Sequence, residues 1–276
     1  MPLCPRKDRE NIMMTVNYHT HTPRCRHASG SEREYVAQAL ARGLTELGFS
    51  DHAPYLYPNG YRSTFRMDPD QFSDYCQTLT ALRTEYNGRI ALHIGLEMEY
   101  YPALFGPTLD WMRQFPLEYL ILGQHYLDNE YDTHVYSGAE TTSEPVLARY
   151  VAQVLEGLST GCFSYLAHPD LIHYTGPDAI YVRRMRPLVE FAKKRRIPLE
   201  LNLLGFAEGR HYPHDRFWAL VGEVGAPAII GCDAHRPDAV ADPQVVRAAY
   251  AYLARFGITP QPRLELRSPF APRPAE

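Results

Sequence analysis

No apolar run long enough to form a bilayer-spanning helix, about 20 residues, occurs in the 276-residue chain. Cysteine is scarce and unpaired. Cys4, Cys25, Cys76, Cys162 and Cys232 form no CxxC, and an odd, scattered set excludes a disulfide framework. A reducing, cytoplasmic setting is therefore expected. Neither sign of charge dominates: 28 Lys and Arg against 32 Asp and Glu leave a net charge of −4. Such a balance carries no electrostatic footprint for nucleic acid or an anionic membrane. The opening residues MPLCPRKDREN contain no apolar segment, so no signal peptide is expected. GxGxxG, GxxxxGK[ST] and GxSxG are all missing, as is a phosphate loop pairing Cys with Arg. No Gly/Ser-rich linker and no internal repeat divides the chain, which predicts one domain over residues 13–268, with tails at 1–12 and 269–276.

What is present is a sizeable apolar fraction, 45%, and twelve histidines. Short β-rich runs alternate with helical spacing. The strand candidates are Met14–Tyr18, Thr45–Phe49, Ile90–Leu96, Tyr119–Leu122, Phe163–Ala167, Pro198–Leu201 and Ala228–Gly231. Helical patterns fill the gaps. Ser31 and Glu34 read as a capping box before a helix that closes at Gly43. Asp68-Pro69 and Ser143 open two more, and Ala179–Arg195, His214–Val224 and Pro237–Phe256 complete the set. Seven strands alternating with helices imply parallel βαβ units. The expected fold is α/β, a single barrel-like domain, with a doubly wound open sheet as the alternative.

The polar residues fall at strand ends. His19 and His21 are two apart, so in extended backbone they face the same way and offer half of a transition-metal site. His27 follows six residues on. The next strands end in Asp51-His52, Gly95-Leu96-Glu97, Gln124-His125, Ala167-His168 and Cys232-Asp233-Ala234-His235. Any one of these histidines is more often a hydrogen-bonded or exposed residue than a ligand. Their recurrence at the C-terminal edge of successive strands, where α/β barrels collect catalytic groups, is what carries the metal reading.

The segments HTHTPRCRHA, SDHAP, GLE, GQHYL, AHPD and GCDAHRP, in this order, resemble the PHP (polymerase and histidinol phosphatase) family, nearest its stand-alone histidinol-phosphate phosphatases. The resemblance covers about Val16 to Arg236. It implies a distorted (β/α)7 TIM-like barrel with three divalent ions, Zn, Mn or Fe. The first would take His19, His21, Glu97 and Asp233, the second Glu97, His125 and His168, the third His27, His52 and His235. Glu97 would bridge the first two. Glu97, Asp233 and His235 would stand at the catalytic centre, where a hydroxide bridging two metals would attack phosphorus in line. The implied function is hydrolysis of L-histidinol phosphate in histidine biosynthesis. Two rivals remain: another phosphomonoester, nucleotide or oligonucleotide on the same site, and a non-catalytic metal-binding module. The partner is a small phosphorylated substrate, and a homo-oligomer stays open.

A phosphate needs cations. Arg24, Arg26, Arg62, Arg66, Arg210 and Arg236 follow strands, and Arg66 and Arg210 are the first choices. Tyr126 is expected to stack on or hydrogen-bond the substrate ring, Asn202 to touch substrate, and Glu208 and Asp170 are available for its amine. Asp170 could instead bond a ligand imidazole. Glu99 is expected beyond the strand end, in solvent. Asp51 either orients an imidazole or is structural. Cys232 should turn away from Asp233. The family's Asn-Thr-small-Gly-Leu-Arg stretch departs here: Asn202 is kept, Leu203 and Leu204 follow, and the arginine comes only at Arg210.

Overall fold

The structure, a computed structural model, describes residues 14–132 and 134–271. Seven strands form one parallel sheet: β1 (Val16–Asn17), β2 (Glu46–His52), β3 (Ala91–Met98), β4 (Tyr119–Leu122), β7 (Tyr165–Leu166), β8 (Leu199–Asn202) and β9 (Ala228–Gly231). Their order in the sheet is their order in the chain. A bridge between Thr20 and Ala234 brings the two edges together, with His21 N donating to Ala234 O at 3.0 Å. The sheet thus curls into a nearly closed barrel, as expected. Closure occurs past the strands' C-terminal ends, among the histidines.

Two cores follow from strand alternation. Leu47, Phe49, Leu120, Leu122, Leu199 and Leu201 face outward into the main cluster with the helices. Tyr18, Tyr119, Ile121, Tyr165 and Ile229 face inward and fill the barrel. Both faces are covered, which is why the strands read as continuous apolar runs. Leu264 and Leu266 pack on the inner cluster, Gln261 N donates to Ala228 O and Arg267 N to Ser164 Oγ, so the C-terminal stretch seals the barrel bottom.

The surrounding helices are α1 (Glu32–Ala41), α2 (Phe72–Glu85), α3 (Pro102–Met112), α4 (Glu144–Ser159), α5 (Asp178–Arg195), α6 (Leu203–Glu208), α7 (Asp215–Val224) and α8 (Pro243–Ala254). The Ser31–Glu34 capping box is formed. Helix α3 was not expected, because Gly106 and Pro107 sit inside it. Packing of Phe105, Leu109 and Met112 overrides their poor propensity. Helix α8 begins at Pro243, not Pro237: Ala241 is left-handed (φ 49°) and Asp242 caps Gln244 and Val245. A small antiparallel hairpin, β5 (Tyr126–Leu127) with β6 (Val135–Tyr136), was also unforeseen. No helix among the described residues is long and apolar enough to cross a membrane. The tail expected at 1–12 lies outside the described residues, as do 272–276. Within the other expected tail, Pro269 is buried and Arg113 stacks on Phe270.

Candidate metal centre

Each strand of the barrel ends by lifting a polar side chain to the same rim. Glu97 lies at its middle, 1% exposed. Its Oε1 is 2.7 Å from His168 Nε2 and 3.6 Å from His125 Nε2. Its Oε2 is 3.0 Å from His52 Nδ1 and 3.6 Å from both His19 Nε2 and His21 Nε2. Asp233 Oδ1 stands 3.0 Å from His21 Nε2, 3.5 Å from His19 Nε2 and 3.4 Å from His235 Nδ1. His27 Nε2 is 2.9 Å from His235 Nε2. All nine expected residues therefore meet in one place. Donor atoms of His19, His21 and Asp233 lie within 4.8 Å of one another, as do those of His19, Glu97 and His168, and of His21, His52 and His235. The sulfur of Cys25 joins His27 and His235 in another such group. His168 and Asp233 hold left-handed backbone (φ 28° and 48°). Strain of this kind persists where surrounding structure enforces it.

A second layer turns the rings. Glu200 Oε1 is 2.8 Å from His19 Nδ1, Asp51 Oδ1 3.3 Å from His21 Nδ1, and Glu99 Oε1 2.9 Å from His125 Nδ1. Backbone carbonyls of Cys25 and Asp233 hold Nδ1 of His27 and His235 at 2.7 and 3.0 Å. Pinning Nδ1 leaves Nε2 as the ligating nitrogen. Glu200 was missed by the sequence reading. Its signal was a carboxylate between Leu199 and Leu201 in an otherwise apolar strand. Glu99 is a correction: it is fully buried, not solvated, because β3 runs on to Met98 and Arg66 neutralises it. Two glycines make room for these carboxylates. A Cβ on Gly123 would sit 2.0 Å from Glu97 Oε1, and one on Gly231 1.7 Å from Glu200 Oε1.

The charges fit divalent cations. Burial opposes ionisation of Glu97, yet the imidazoles of His125, His52 and His19 hold it well below the usual carboxylate range. Asp233 behaves likewise against burial, through His19, His21 and His235. Burial pushes His52 well down and His235 down to about 3, leaving neutral rings with free lone pairs. Burial also opposes the charge on His19, but Glu200, Asp233 and Glu97 raise it to about 10. The carboxylates around His19 thus favour positive charge at that ring. Nε2 of His19 and His21 and Nδ1 of His52 are buried without a hydrogen-bond partner. Imidazole with carboxylate is a donor set for Zn, Mn or Fe.

Above this floor opens a pocket of about 620 Å³. Its walls include Phe65, Tyr126, Tyr136, Leu204, Glu208, Arg210, Tyr212 and Arg236. Tyr126 and Arg210 thus both line the pocket. Arg210 Nη1 donates to Tyr212 Oη at 3.0 Å and its Nη2 pairs with Glu208 at 2.7 Å. Arg66 does not line the pocket: it is 1% exposed and locked to Glu99 and Glu130. Asn202 is also corrected. Its Nδ2 donates to Glu200 Oε2 (3.1 Å) and Asp233 Oδ2 (3.0 Å), and its Oδ1 caps α6 at Gly205 N. It organises carboxylates and does not face the cavity. Asp170 accepts from His214 N and Trp218 Nε1, with burial raising it to about 6, and reaches neither the pocket nor a ligand imidazole. Arg24, Arg26 and Arg62 pair with Asp74, Asp68 and Asp68. Cys232 turns away from the rim, accepting from Ala241 N.

Residues 17–203 match the PHP domain family, a span that stops short of Asp233 and His235. The “Probable histidinol-phosphatase” of Deinococcus radiodurans is 30% identical over 237 residues, spanning 80% of this chain and 86% of that one. The histidinol-phosphatase of Lactococcus lactis subsp. lactis is 24% identical over 194 residues, 68% and 66% of the two chains. A solved histidinol phosphate phosphatase from that organism, complexed with Zn, L-histidinol and phosphate, covers 92% of this chain and 100% of its own. Its TM-score is 0.71 at 19% identity, a likeness of fold. On its matched span and its curated relative, this chain belongs to the PHP domain family.

Proposed function

We propose that this chain is a metal-dependent phosphomonoesterase that hydrolyses L-histidinol phosphate to L-histidinol and phosphate. The observation that supports it most is the gathering of seven imidazoles, Glu97 and Asp233 beneath a pocket walled by Arg210 and Tyr126. The names of its relatives supply the substrate. Three ions, Zn, Mn or Fe, would be held by His19, His21, Glu97 and Asp233; by Glu97, His125 and His168; and by His27, His52 and His235. When bound, such ions neutralise the phosphate and lower the pKa of water.

The chain's own groups do the rest. Asn202 fixes Asp233 Oδ2 and leaves Oδ1 toward the histidines. Arg210, steadied by Tyr212, offers its guanidinium to phosphate oxygens. Glu208, paired to Arg210 through Oε2, faces the pocket and suits the substrate amine. Tyr126 stacks on Phe65 (centroids 5.6 Å) and extends an aromatic surface for a planar ring. Leu203 and Leu204 stand where the family stretch has Thr and a small residue, and Leu204 lines this wall, which favours as second reading another small phosphomonoester.

The test is phosphate release from L-histidinol phosphate and from p-nitrophenyl phosphate, after reconstitution with Zn, Mn or Fe in turn. A kcat/KM for L-histidinol phosphate well above that for the nitrophenyl ester is expected. Equal values would remove the substrate, and no release from any phosphomonoester with metal bound would remove the enzyme.

A further inference from the structure

A charged cluster lies beside the centre and joins it through Glu99. Arg66, Glu99 and Glu130 are each at most 1% exposed. Burying three charges is costly, and an apolar replacement is often as stable. Arg66 uses every donor it has. Nη1 donates to Glu99 Oε2 and Ala53 O (both 3.0 Å), Nη2 to Glu99 Oε1 (2.9 Å) and Glu130 Oε2, and Nε to Glu130 Oε2 (2.9 Å). A guanidinium has five N–H bonds, so none is left for a phosphate.

The three partners sit on three segments that build the site. Ala53 follows His52. Glu99 closes β3 two residues after Glu97 and accepts from His125 Nδ1 at 2.9 Å. Glu130 belongs to the hairpin loop between Tyr126 and Tyr136, both on the pocket wall. Phe65, beside Arg66, lies under the guanidinium at 4.5 Å and puts its ring against His52 (5.5 Å) and Tyr126 (5.6 Å).

We propose that Arg66 is a positioning residue with two outputs: through Glu99 it sets which nitrogen His125 offers to a divalent ion, and through Glu130 and Ala53 O it sets the pocket wall. The proposal rests on the metal-dependent reading of the centre. Glu99 holds the proton of His125 on Nδ1, so Nε2 faces Glu97. Without the fork of Arg66, Glu99 loses its fixed orientation. Lysine cannot replace it, because a point charge on a flexible stem cannot hold two carboxylates and a carbonyl in one plane. Glu130 touches no candidate ligand, and the glutamine of Glu130→Gln keeps an oxygen to accept from Arg66, so this change should disturb the wall and not His125.

The experiment compares Arg66→Lys, Glu99→Gln and Glu130→Gln with the parent. Zn2+ affinity is read by chelator competition, the His125 tautomer by 15N NMR of labelled imidazoles, and KM on p-nitrophenyl phosphate at saturating Zn2+. Arg66→Lys and Glu99→Gln should weaken the loosest-held ion by ~10- to 100-fold, the scale for groups that orient ligands, and shift the His125 signal. Glu130→Gln should leave Zn2+ affinity close to the parent's and raise KM. If Arg66→Lys does not fold, the nearly isosteric Glu99→Gln carries the metal arm. Unchanged affinity and tautomer in a folded Glu99→Gln would overturn the proposal. So would an equal loss of Zn2+ in Glu130→Gln. A parent that binds no Zn2+ at all would instead remove the metal reading beneath it.

Discussion

At the scale of single residues, the site separates side chains that face the pocket from those that hold others in place. Arg66 and Arg210 both follow strands, and both were expected at the phosphate. Of these two, Arg210 alone lines the cavity, 40% exposed in its side chain. Removing it should cost about 1.5–3 kcal/mol in kcat/KM, the scale of a lost charge-assisted hydrogen bond. Metal content should not change, since Arg210 contacts no candidate ligand. Steady-state kinetics with elemental analysis of Arg210→Ala checks both halves. Parent-like kinetics would mean that the phosphate is held without it.

At the scale of elements, the rim works because strands end where small residues admit large carboxylates. Gly123 follows β4 beside Glu97, and any Cβ there would lie 2.0 Å from Glu97 Oε1. The clash is with the end of a side chain, so the strand can survive while the carboxylate is displaced. Gly123→Ala should therefore keep its circular dichroism and lose about 1–3 kcal/mol of stability to overpacking. Bound metal and turnover should fall together. A variant with full metal content would show that Glu97 has other room to move. Helix α6 makes a similar point. Asn202 caps it, and the same amide holds Asp233, so the cap ties the start of a helix to a candidate ligand.

At the scale of the molecule, the buried charges predict how stability depends on pH. His19 is raised to about 10 by its carboxylates against burial, and His21 well above its ordinary value. A group with a raised folded pKa stabilises fully below its unfolded value, ~6.5 for histidine, and that stability is lost as pH rises through the folded value. The metal-free protein should thus lose thermal stability as pH climbs from ~6.5 toward about 10. With divalent ions in place of those protons the loss should vanish. Metal uptake near neutral pH should also release protons. Melting temperature against pH, with and without Zn2+, tests this. Parallel curves for the two forms would contradict it.

The sequence by itself determined the alternation of strands and helices and the polar residues at the strand ends, while the choice of a barrel over an open sheet rested on the family resemblance. Strand β4 and strand β9 fall on the expected Tyr119–Leu122 and Ala228–Gly231, because continuous apolar runs bounded by turns are local signals. The candidate ligands at strand ends were legible for the same reason: a strand's direction and the residue at its end fix where a short, stiff side chain goes, whereas His27, in a loop, and the grouping into three sites came from the family resemblance. Helix α3 was hidden by its own Gly106 and Pro107, and only packing reveals it. The tertiary structure alone decided the longer polar groups. Arg66 meets Glu99 and Glu130 across 33 and 64 residues, and His19 meets Glu200 across 181. A flexible charged side chain settles where burial leaves it a partner, and that partner is chosen by the closed barrel, not by any neighbour along the chain.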